Sequence, residues 1–513
     1  MRDNDAFSPF GRKAIEASAK QDNKPQAPVE LSPLARSIAA QYRRDTFSPL
    51  MLSGVVRMVE FGLIFLTGIL SLGYYVGLQT NNHLLYYPLI MIAGGVLYVA
   101  LMEINDGYQV NILRSPAHHL RRLIISWAAT LGALALAGFL FKISAHFSRG
   151  WFLIWAISTI AVLLISRLII AWKIRRWARN GTMERRAVIV GGGPNAETLI
   201  RSLEQQPDND IRICGIFDDR DDKRSPLVVA GYPKLGNINE LIEFARIAHI
   251  DLLIVSLPIS AEARVLALLK KLWVLPVDIR LSALNNHLRF RPRAYSYVGS
   301  VPMLDIFDKP INDWDSVAKR IFDIAFSLVG IVLLSPIMVA TALAIKLDSK
   351  GPVFFKQKRH GFNNEVINVW KFRSMYTEQC DPTARNAVTR NDPRVTRVGR
   401  FIRKTSIDEL PQFFNVIAGS LSLVGPRPHA VAAHSNNLLY NEVVDGYFAR
   451  HRVKPGVTGW AQINGWRGEI DNEEKITMRT EYDLYYIENW SLWFDLKILF
   501  LTPIRLLNTE NAY

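Results

Sequence analysis

Cysteine is nearly missing from this chain: only Cys214 and Cys380 occur in 513 residues. That scarcity excludes a disulfide scaffold and a cysteine metal site, and it agrees with a bulk facing a reducing cytoplasm. Residues 1–45 lack a sustained apolar period. They also lack the charge, apolar run and small-residue cleavage site of a secretory leader, so they read as a disordered cytoplasmic tail. The net charge of +15, from 61 Lys and Arg against 46 Asp and Glu, is not gathered on one helix or tail. Many cations flank apolar segments instead, including Arg121, Arg122, Lys173, Arg175, Arg176 and Arg179. Membrane topology and anionic headgroups account for that placement, and nucleic acid is not expected as a partner.

What the chain does have is apolar length. Hydrophobic residues make up 49% of it, and four runs stand out at about 51–79, 84–104, 123–141 and 151–172. Each approaches the roughly 20 residues that cross a bilayer as a helix. Arg57 and Glu60 near the start of the first run are expected to pair with each other or to snorkel. The connection Asn81-Asn82-His83 carries no Lys or Arg, whereas the next carries Arg114, Arg121 and Arg122. The positive-inside rule therefore puts both ends of a four-helix transmembrane bundle, residues 46–180, in the cytoplasm.

Residues 181–305 read as an α/β Rossmann-like domain. Arg186–Val190 has a buried-strand pattern and ends in Gly191-Gly192-Gly193-Pro194-Asn195-Ala196, with Asp218 and Asp219 about 25 residues on, near the place of a ribose ligand. Pro194 is expected to disturb the glycine turn, and no Tyr-x-x-x-Lys follows, as a short-chain nucleotide-sugar dehydratase would require. A structural domain, a nucleotide sensor and an NAD-dependent enzyme are the three readings.

Chemistry concentrates further on. Thr405-Ser406-Ile407-Asp408-Glu409-Leu410-Pro411-Gln412 places adjacent carboxylates at the start of an expected helix, with Pro411 in its first turn. A helix N-terminus offers N–H groups to phosphate oxygens. The plain alternative is capping alone, since Ser406-x-x-Glu409 matches a capping box. Upstream, Lys371 and Arg373 alternate with Trp370 and Phe372, so a strand would put both cations on one face. Gln357 and Arg359 share a face in the same way, and Gly361 is expected to supply a turn. Arg427 lies between Pro426 and Pro428, which restrict its backbone and suit a fixed guanidinium to phosphate. The last motif is Arg452–Gly465, with Gln462 inside it and Arg467-Gly468-Glu469 beyond; its glycines and amides are expected to close over nucleotide or sugar.

In this order, over about the last 200 residues, these segments resemble the bacterial sugar transferases, which move hexose-1-phosphate from a nucleotide sugar to a polyprenyl phosphate. The resemblance implies a C-terminal phosphoglycosyl transferase domain over residues 306–513. It also implies that Asp408 is the nucleophile on the β-phosphate of a UDP-sugar, releasing UMP, and that Glu409 is a Mg²⁺ ligand. Lys371, Arg373, Arg359, Gln357, Arg427, Arg452 and Gln462 would then hold phosphate or nucleotide. The partners implied are a UDP-sugar, undecaprenyl phosphate and membrane lipids, with a homodimer compatible; the tryptophan and Arg-Gly-Glu after the last glycine resemble glucose-type members and imply UDP-glucose. One departure is Ser420, where the family commonly has an acidic residue.

A fifth apolar run, about 321–346, contains Ser335-Pro336 near its middle. A full crossing would put the transferase domain outside the cell, away from nucleotide sugars. A re-entrant helix over 318–347, broken at Ser335-Pro336, is therefore expected, with the Ser335 hydroxyl serving a freed backbone group and Arg320 pairing with Asp323. A kinked spanning helix is the alternative. The whole reads as an undecaprenyl-phosphate hexose phosphotransferase of a bacterial inner membrane that initiates exopolysaccharide or capsule assembly. A membrane-anchored NAD-dependent dehydratase and an inactive nucleotide-sensing scaffold are the competing functions.

Overall fold

The computed structural model describes residues 30–42, 49–77, 86–109, 113, 116–142, 147–179, 184–205, 211–220, 225–258, 261–283, 296–298, 301–379, 392–429, 434–435, 438–439, 447–466 and 473–506. Most of the expected tail, residues 1–29, and Arg467-Gly468-Glu469 lie outside them. The chain forms two compact units: residues 45–185, and residues 1–44 with 186–513.

The tail does not stay irregular to residue 45. Helix α1 (Pro33–Gln41) starts from Ser32, whose hydroxyl accepts from the Ala35 N–H, with proline in the first helical turn. Ala35 and Ala39, one turn apart, are fully buried in the same core as Leu235 and Ile238. Small residues at that spacing carry little hydropathy, which is why the sequence hid a docked helix.

In the unit of residues 45–185, α2 (Pro49–Tyr75), α3 (Tyr86–Ile104), α4 (Pro116–Leu140) and α5 (Arg149–Arg179) pack around one apolar core that includes Trp127, Trp151 and Trp155. All four are long and apolar enough to cross a membrane. Arg57 and Glu60 do not pair with each other. Glu60 is fully buried and binds Arg167 of α5 and the Tyr108 hydroxyl, the latter at 2.9 Å, while Arg57 reaches out to Glu103 at 2.8 Å. A buried carboxylate needs a partner that is buried with it, and Arg57 sits on the exposed side.

The second unit contains an eight-stranded mixed sheet. Its strands are β1 (Arg185–Val190), β2 (Ile211–Phe217), β3 (Val228–Val229), β4 (Tyr232–Gly236), β5 (Leu252–Val255), β6 (Asp278–Ser282), β7 (Ser296–Val298) and β8 (Val301–Phe307), in the order β3-β4-β2-β1-β5-β6-β8-β7. β1, β5 and β6 pair in parallel and β8 closes on β6 antiparallel. The apolar runs of β1 and β5 are buried on both faces, as helices α6 (Pro194–Glu204), α7 (Ile238–Ile247) and α8 (Glu262–Leu272) require. Pro194 does not disturb the glycine turn. It is the first residue of α6, where its missing N–H has no intrahelical role, and Gly193 before it takes φ 92°.

The same unit continues into α9 (Asp313–Asp348), a 36-residue helix with Pro336 inside it. A proline at 336 orphans the carbonyl four residues back, and the Ser335 hydroxyl donates to that very group, Val332 O, at 2.8 Å. Arg320 and Asp323 do not pair. Lys319 takes Asp323 at 3.1 Å and Asp495 at 2.7 Å, while Arg320 turns to the carbonyls of Val416 and Ile417. The (i, i+4) spacing brings Lys319, and not Arg320, over the buried carboxylate.

Candidate active site

Two strands and two short turns frame the site. β9 (Phe354–His360) and β10 (Val366–Phe372) form an antiparallel hairpin with Gln357 opposite Val369 and Arg359 opposite Ile367. Its turn does not depend on positive φ at Gly361; Asn363 and Asn364 take the left-handed conformation, which asparagine tolerates. After α10 (Arg397–Lys404) comes α11 (Gln412–Ala418), which stands behind β10 and is joined to it through Asn415, which accepts from the Trp370 N–H at 2.8 Å and donates to Asn368 O at 2.8 Å and to the Ser420 hydroxyl at 3.0 Å. Ser420, the departure from the family pattern, thus orients the residue that ties strand to helix.

Asp408 and Glu409 are not on the helix itself. They lie on a 3₁₀ turn, Ile407–Glu409, after Ser406 in the left-handed region at φ 57°, and α11 begins only at Gln412. The 3₁₀ turn consumes the N–H groups of Glu409 and Leu410 on Ser406 O and Ile407 O. Ser406 makes no side-chain cap hydrogen bond, so the capping box does not form.

Instead, Glu409 is gripped by cations. Lys371 Nζ donates to Oε1 at 2.9 Å, and Arg427 donates to Oε1 at 2.5 Å and Oε2 at 3.0 Å. Burial raises the carboxyl pKa, but Arg427 and Lys371 overcome this and hold Glu409 well below the usual carboxylate range. Asp408 is as buried, yet among the described residues it makes no hydrogen bond; Lys371 Nζ is 3.9 Å from Oδ2. Desolvation therefore lifts its pKa above the ordinary value, against the pull of Lys371. Arg359 completes the cluster, fixed by Gln357 Oε1 at 2.8 and 3.1 Å and by Pro428 O at 2.6 Å. Burial, then Arg427, lowers its pKa to about 10. Burial likewise pulls Lys371 down.

Asp408, Glu409, Lys371, Arg427, Arg359 and Gln357 come together; three other expected residues do not join them. β10 ends at Phe372, and the Arg373 guanidinium swings to the carbonyls after α9, Ser349 O at 2.8 Å and Lys350 O, instead of sharing the face of Lys371. Arg452 lies over the Phe307 ring and donates to Asp308 O at 2.8 Å. Gln462, on the four-residue helix α12 (Trp460–Ile463), has a buried Oε1 without a hydrogen-bond partner. The glycines of that motif serve backbone contact. β11 (Ser422–Val424) runs parallel to β12 (Gly456–Thr458), and a Cβ on Gly456 would stand 2.1 Å from Gly425 N, while one on Gly459 would stand 2.3 Å from Gly425 O.

That close approach, with a second layer, positions Arg427. Arg450 donates to Arg427 O at 3.0 Å and to His429 Nδ1 at 2.6 Å, and is held by Asp483 on α13 (Glu473–Glu488). Lys319 donates to Val424 O at 3.0 Å and to Asp495 of α14 (Leu492–Leu506) at 2.7 Å, and the Tyr486 hydroxyl donates to Asp495 Oδ1 at 2.7 Å with Val424 O 3.0 Å away. Sequence reading missed Arg450, Asp483 and Asn415. Their contacts to Arg427 O, to each other and to Asn368 O span 23 positions (Arg450–Arg427), 33 (Arg450–Asp483) and 47 (Asn415–Asn368), beyond any local pattern.

Among the described residues no group of three or more His, Cys, Asp or Glu surrounds a metal position. A Mg²⁺ ion rarely needs such a cage, because waters and substrate phosphates fill its octahedron. Glu409 spends three of about four carboxylate lone-pair sites on its cations, and Asp408 spends none in hydrogen bonds. Glu409, the expected Mg²⁺ ligand, thus keeps about one open lone-pair site and Asp408 keeps its own, and these are the dyad oxygens that a Mg²⁺ would use. In the sheet domain, by contrast, both acids near the expected place of a ribose already have partners: Asp218 accepts the Gly192 N–H at 2.6 Å and is clasped by Arg220, and Asp219 accepts the Ile238 N–H at 2.8 Å.

Comparison with known proteins finds similar chains. Residues 314–509 match the family Bacterial sugar transferase, and residues 103–283 match CoA-binding domain. An undecaprenyl-phosphate glucose phosphotransferase of Komagataeibacter xylinus is 39% identical over 362 residues, 70% of this chain and 66% of the relative. A UDP-glucose:undecaprenyl-phosphate glucose-1-phosphate transferase of Klebsiella pneumoniae is 36% identical over 455 residues, 87% of this chain and 94% of its own. Its namesake in Escherichia coli is 40% identical over 345 residues, 66% of this chain and 71% of the relative.

Proposed function

Because this chain belongs to the bacterial sugar transferase family, we propose that it moves hexose-1-phosphate, with glucose as the hexose, from a UDP-sugar to undecaprenyl phosphate by way of Asp408. The observation that carries the reading is a buried carboxylate with no hydrogen bond among the described residues, beside a partner carboxylate gripped by two cations. Two adjacent acids in one turn would repel. Lys371 and Arg427 discharge that repulsion through Glu409 and leave the Asp408 oxygens open for attack.

In the first step an Asp408 oxygen bonds to the β-phosphorus, and the bond from that phosphorus to the bridging oxygen breaks. UMP leaves with the electron pair. In the second, an oxygen of undecaprenyl phosphate attacks the same phosphorus and the Asp408 carboxylate departs, leaving undecaprenyl-diphospho-hexose. One phosphoanhydride is lost and one gained, so no further energy source is required. Lys371, Arg427 and Arg359 supply preorganised positive charge where the equatorial oxygens gather negative charge. Mg²⁺ on the dyad's free oxygens would add Lewis-acid neutralisation of the diphosphate.

The two substrates meet where cytosol meets lipid, in the inner membrane of a bacterium, if α9 enters and leaves on one side. Two observations support re-entry. Near its start α9 is fastened by Lys319 to Asp495, and past its end Arg373 holds the carbonyls of Ser349 and Lys350, all on one domain. Between them, Leu328, Val329, Val332 and Leu333 are exposed and apolar. Cysteine placed at Lys350 should label only from the cytoplasmic side; labelling only from outside would return the helix to a full crossing.

The deciding experiment incubates the full chain in nanodiscs with undecaprenyl phosphate and either UDP-glucose or UDP-galactose, following UMP. UMP release with lipid product from UDP-glucose is expected, and a sugar-phosphate adduct on Asp408 when only the donor is present. Sugar binding without UMP would mark an inactive scaffold, and full turnover by Asp408→Asn would rule out the nucleophile.

A further inference from the structure

The dyad precedes the N-terminal end of α11. At the C-terminal end of the same helix lies a cavity of about 230 Å³ that this chemistry leaves unused. Its floor is apolar, with Ile311, Phe362, Val424 and Val453, and its polar wall carries Lys319, Arg320, Arg452 and Lys454 against one carboxylate, Asp323.

Charge within that wall does not balance. Lys319 and Asp323 neutralise each other at 3.1 Å, Lys319 also meets Asp495, and Asp323 further accepts the Leu423 N–H at 3.1 Å. Arg320 donates to two neutral carbonyls, Val416 O at 2.5 Å and Ile417 O at 2.6 Å, and has no carboxylate partner among the described residues. Lys454 is exposed at the cavity rim, and its ammonium has no hydrogen bond or ion pair among them. Desolvation, and next Arg320, pull its pKa below the usual lysine value. Two like charges, Arg320 and the exposed Lys454, thus face one space without a carboxylate of their own, an arrangement that an anion relieves.

The surroundings select the kind of anion. Ile321, beside Arg320, is 64% exposed and begins the apolar flank of α9 that runs through Leu328 and Val329. A ligand seated by its phosphate at Arg320 and Lys454 would have its acyl chains along that flank. We propose that this cavity binds the phosphodiester headgroup of an anionic membrane lipid, as a site separate from the dyad.

The proposal stands apart from the transfer reaction, and the test keeps them apart. The full chain, purified in neutral detergent, is titrated calorimetrically with short-chain phosphatidylglycerol and, separately, with inorganic phosphate. Phosphatidylglycerol is expected to bind at least about tenfold more tightly, and Lys454→Glu to weaken it by about tenfold or more, as loss of a charge-assisted contact does. Lys454→Arg should bind like the parent chain, and Asp408→Asn should bind lipid unchanged whatever happens to its UMP release. Equal affinity for inorganic phosphate would overturn the lipid as source. Unaltered lipid binding by both Lys454→Glu and Lys454→Gln would overturn the site.

Discussion

Asp218 and Asp408 are the same side chain at similar burial, 4% and 9% exposed, and they stand in opposite states. Asp218 accepts backbone N–H groups from Gly192 and Arg220 and the Arg220 guanidinium, and these overcome desolvation to hold its carboxyl below the ordinary value. Asp408 accepts no hydrogen bond among the described residues, and burial lifts it. Saturation, more than burial, separates a carboxylate that fastens a fold from one left open to react. The glycine-rich loop of the sheet domain is closed on its own acid, while the turn before α11 buries its acid without a hydrogen bond among the described residues.

The largest effect should come from exchanging the two acids for their amides. Asp408→Asn is expected to reduce UMP release by about 10³-fold or more, as loss of a nucleophile does. Asp218→Asn should leave the rate within about threefold and lower the melting temperature instead, since buried donors left unsatisfied cost about 1–3 kcal/mol. A slow Asp218→Asn with intact stability would erase the contrast.

Next in size is Arg427→Lys. It keeps the charge but loses the two-pronged grip on Glu409, and a loss of about 10- to 100-fold in UMP release is expected from a charge-assisted bond of about 1.5–3 kcal/mol. The same measurement on Arg373→Lys should change far less, because Arg373 holds the end of α9 and not the dyad.

The pH dependence should sharpen the difference further. Asp408 must be ionised to attack, and its pKa is raised, so UMP release should fall on acidification at a pH above the ordinary aspartate value of about 3.9. Lys371 lowers that pKa, and Lys371→Met should therefore move the acid limb to still higher pH. Asp218 has the opposite sign. Its folded pKa is depressed, so its contribution to stability is complete above the unfolded value and is lost as pH falls through the folded one. Asp218→Asn should remove that acid-side loss in melts recorded against pH. The smallest change expected is Ser335→Ala, which strips the orphaned Val332 carbonyl of its hydroxyl partner and should cost about 1 kcal/mol.

Much of this was readable before any coordinates. The apolar runs gave the positions of α2 to α5 and α9, because twenty consecutive apolar residues have few other uses. The Ser335 hydroxyl was expected to serve a backbone group freed by Pro336 and does donate to Val332 O, but the expected break does not appear, since α9 runs as one helix through both residues. The strand period joined Gln357 to Arg359 correctly. It failed at Arg373, one residue past the end of β10, where no ladder fixes the side chain's direction. α1 was missed because two alanines make a docking face too small for hydropathy to register.

Sequence alone determined which residue types are present and in what order: adjacent acids, flanking cations, apolar helices, a family. Local spacing reaches only a turn or two along the chain, so it could not say which cation each acid would meet. Tertiary structure made that decision, giving Glu60 to Arg167, Asp323 to Lys319, and Glu409 to both Lys371 and Arg427. It left Asp408 without a hydrogen bond among the described residues, because charge pairing is settled by distance and burial across the fold, and neither quantity is written in a linear string.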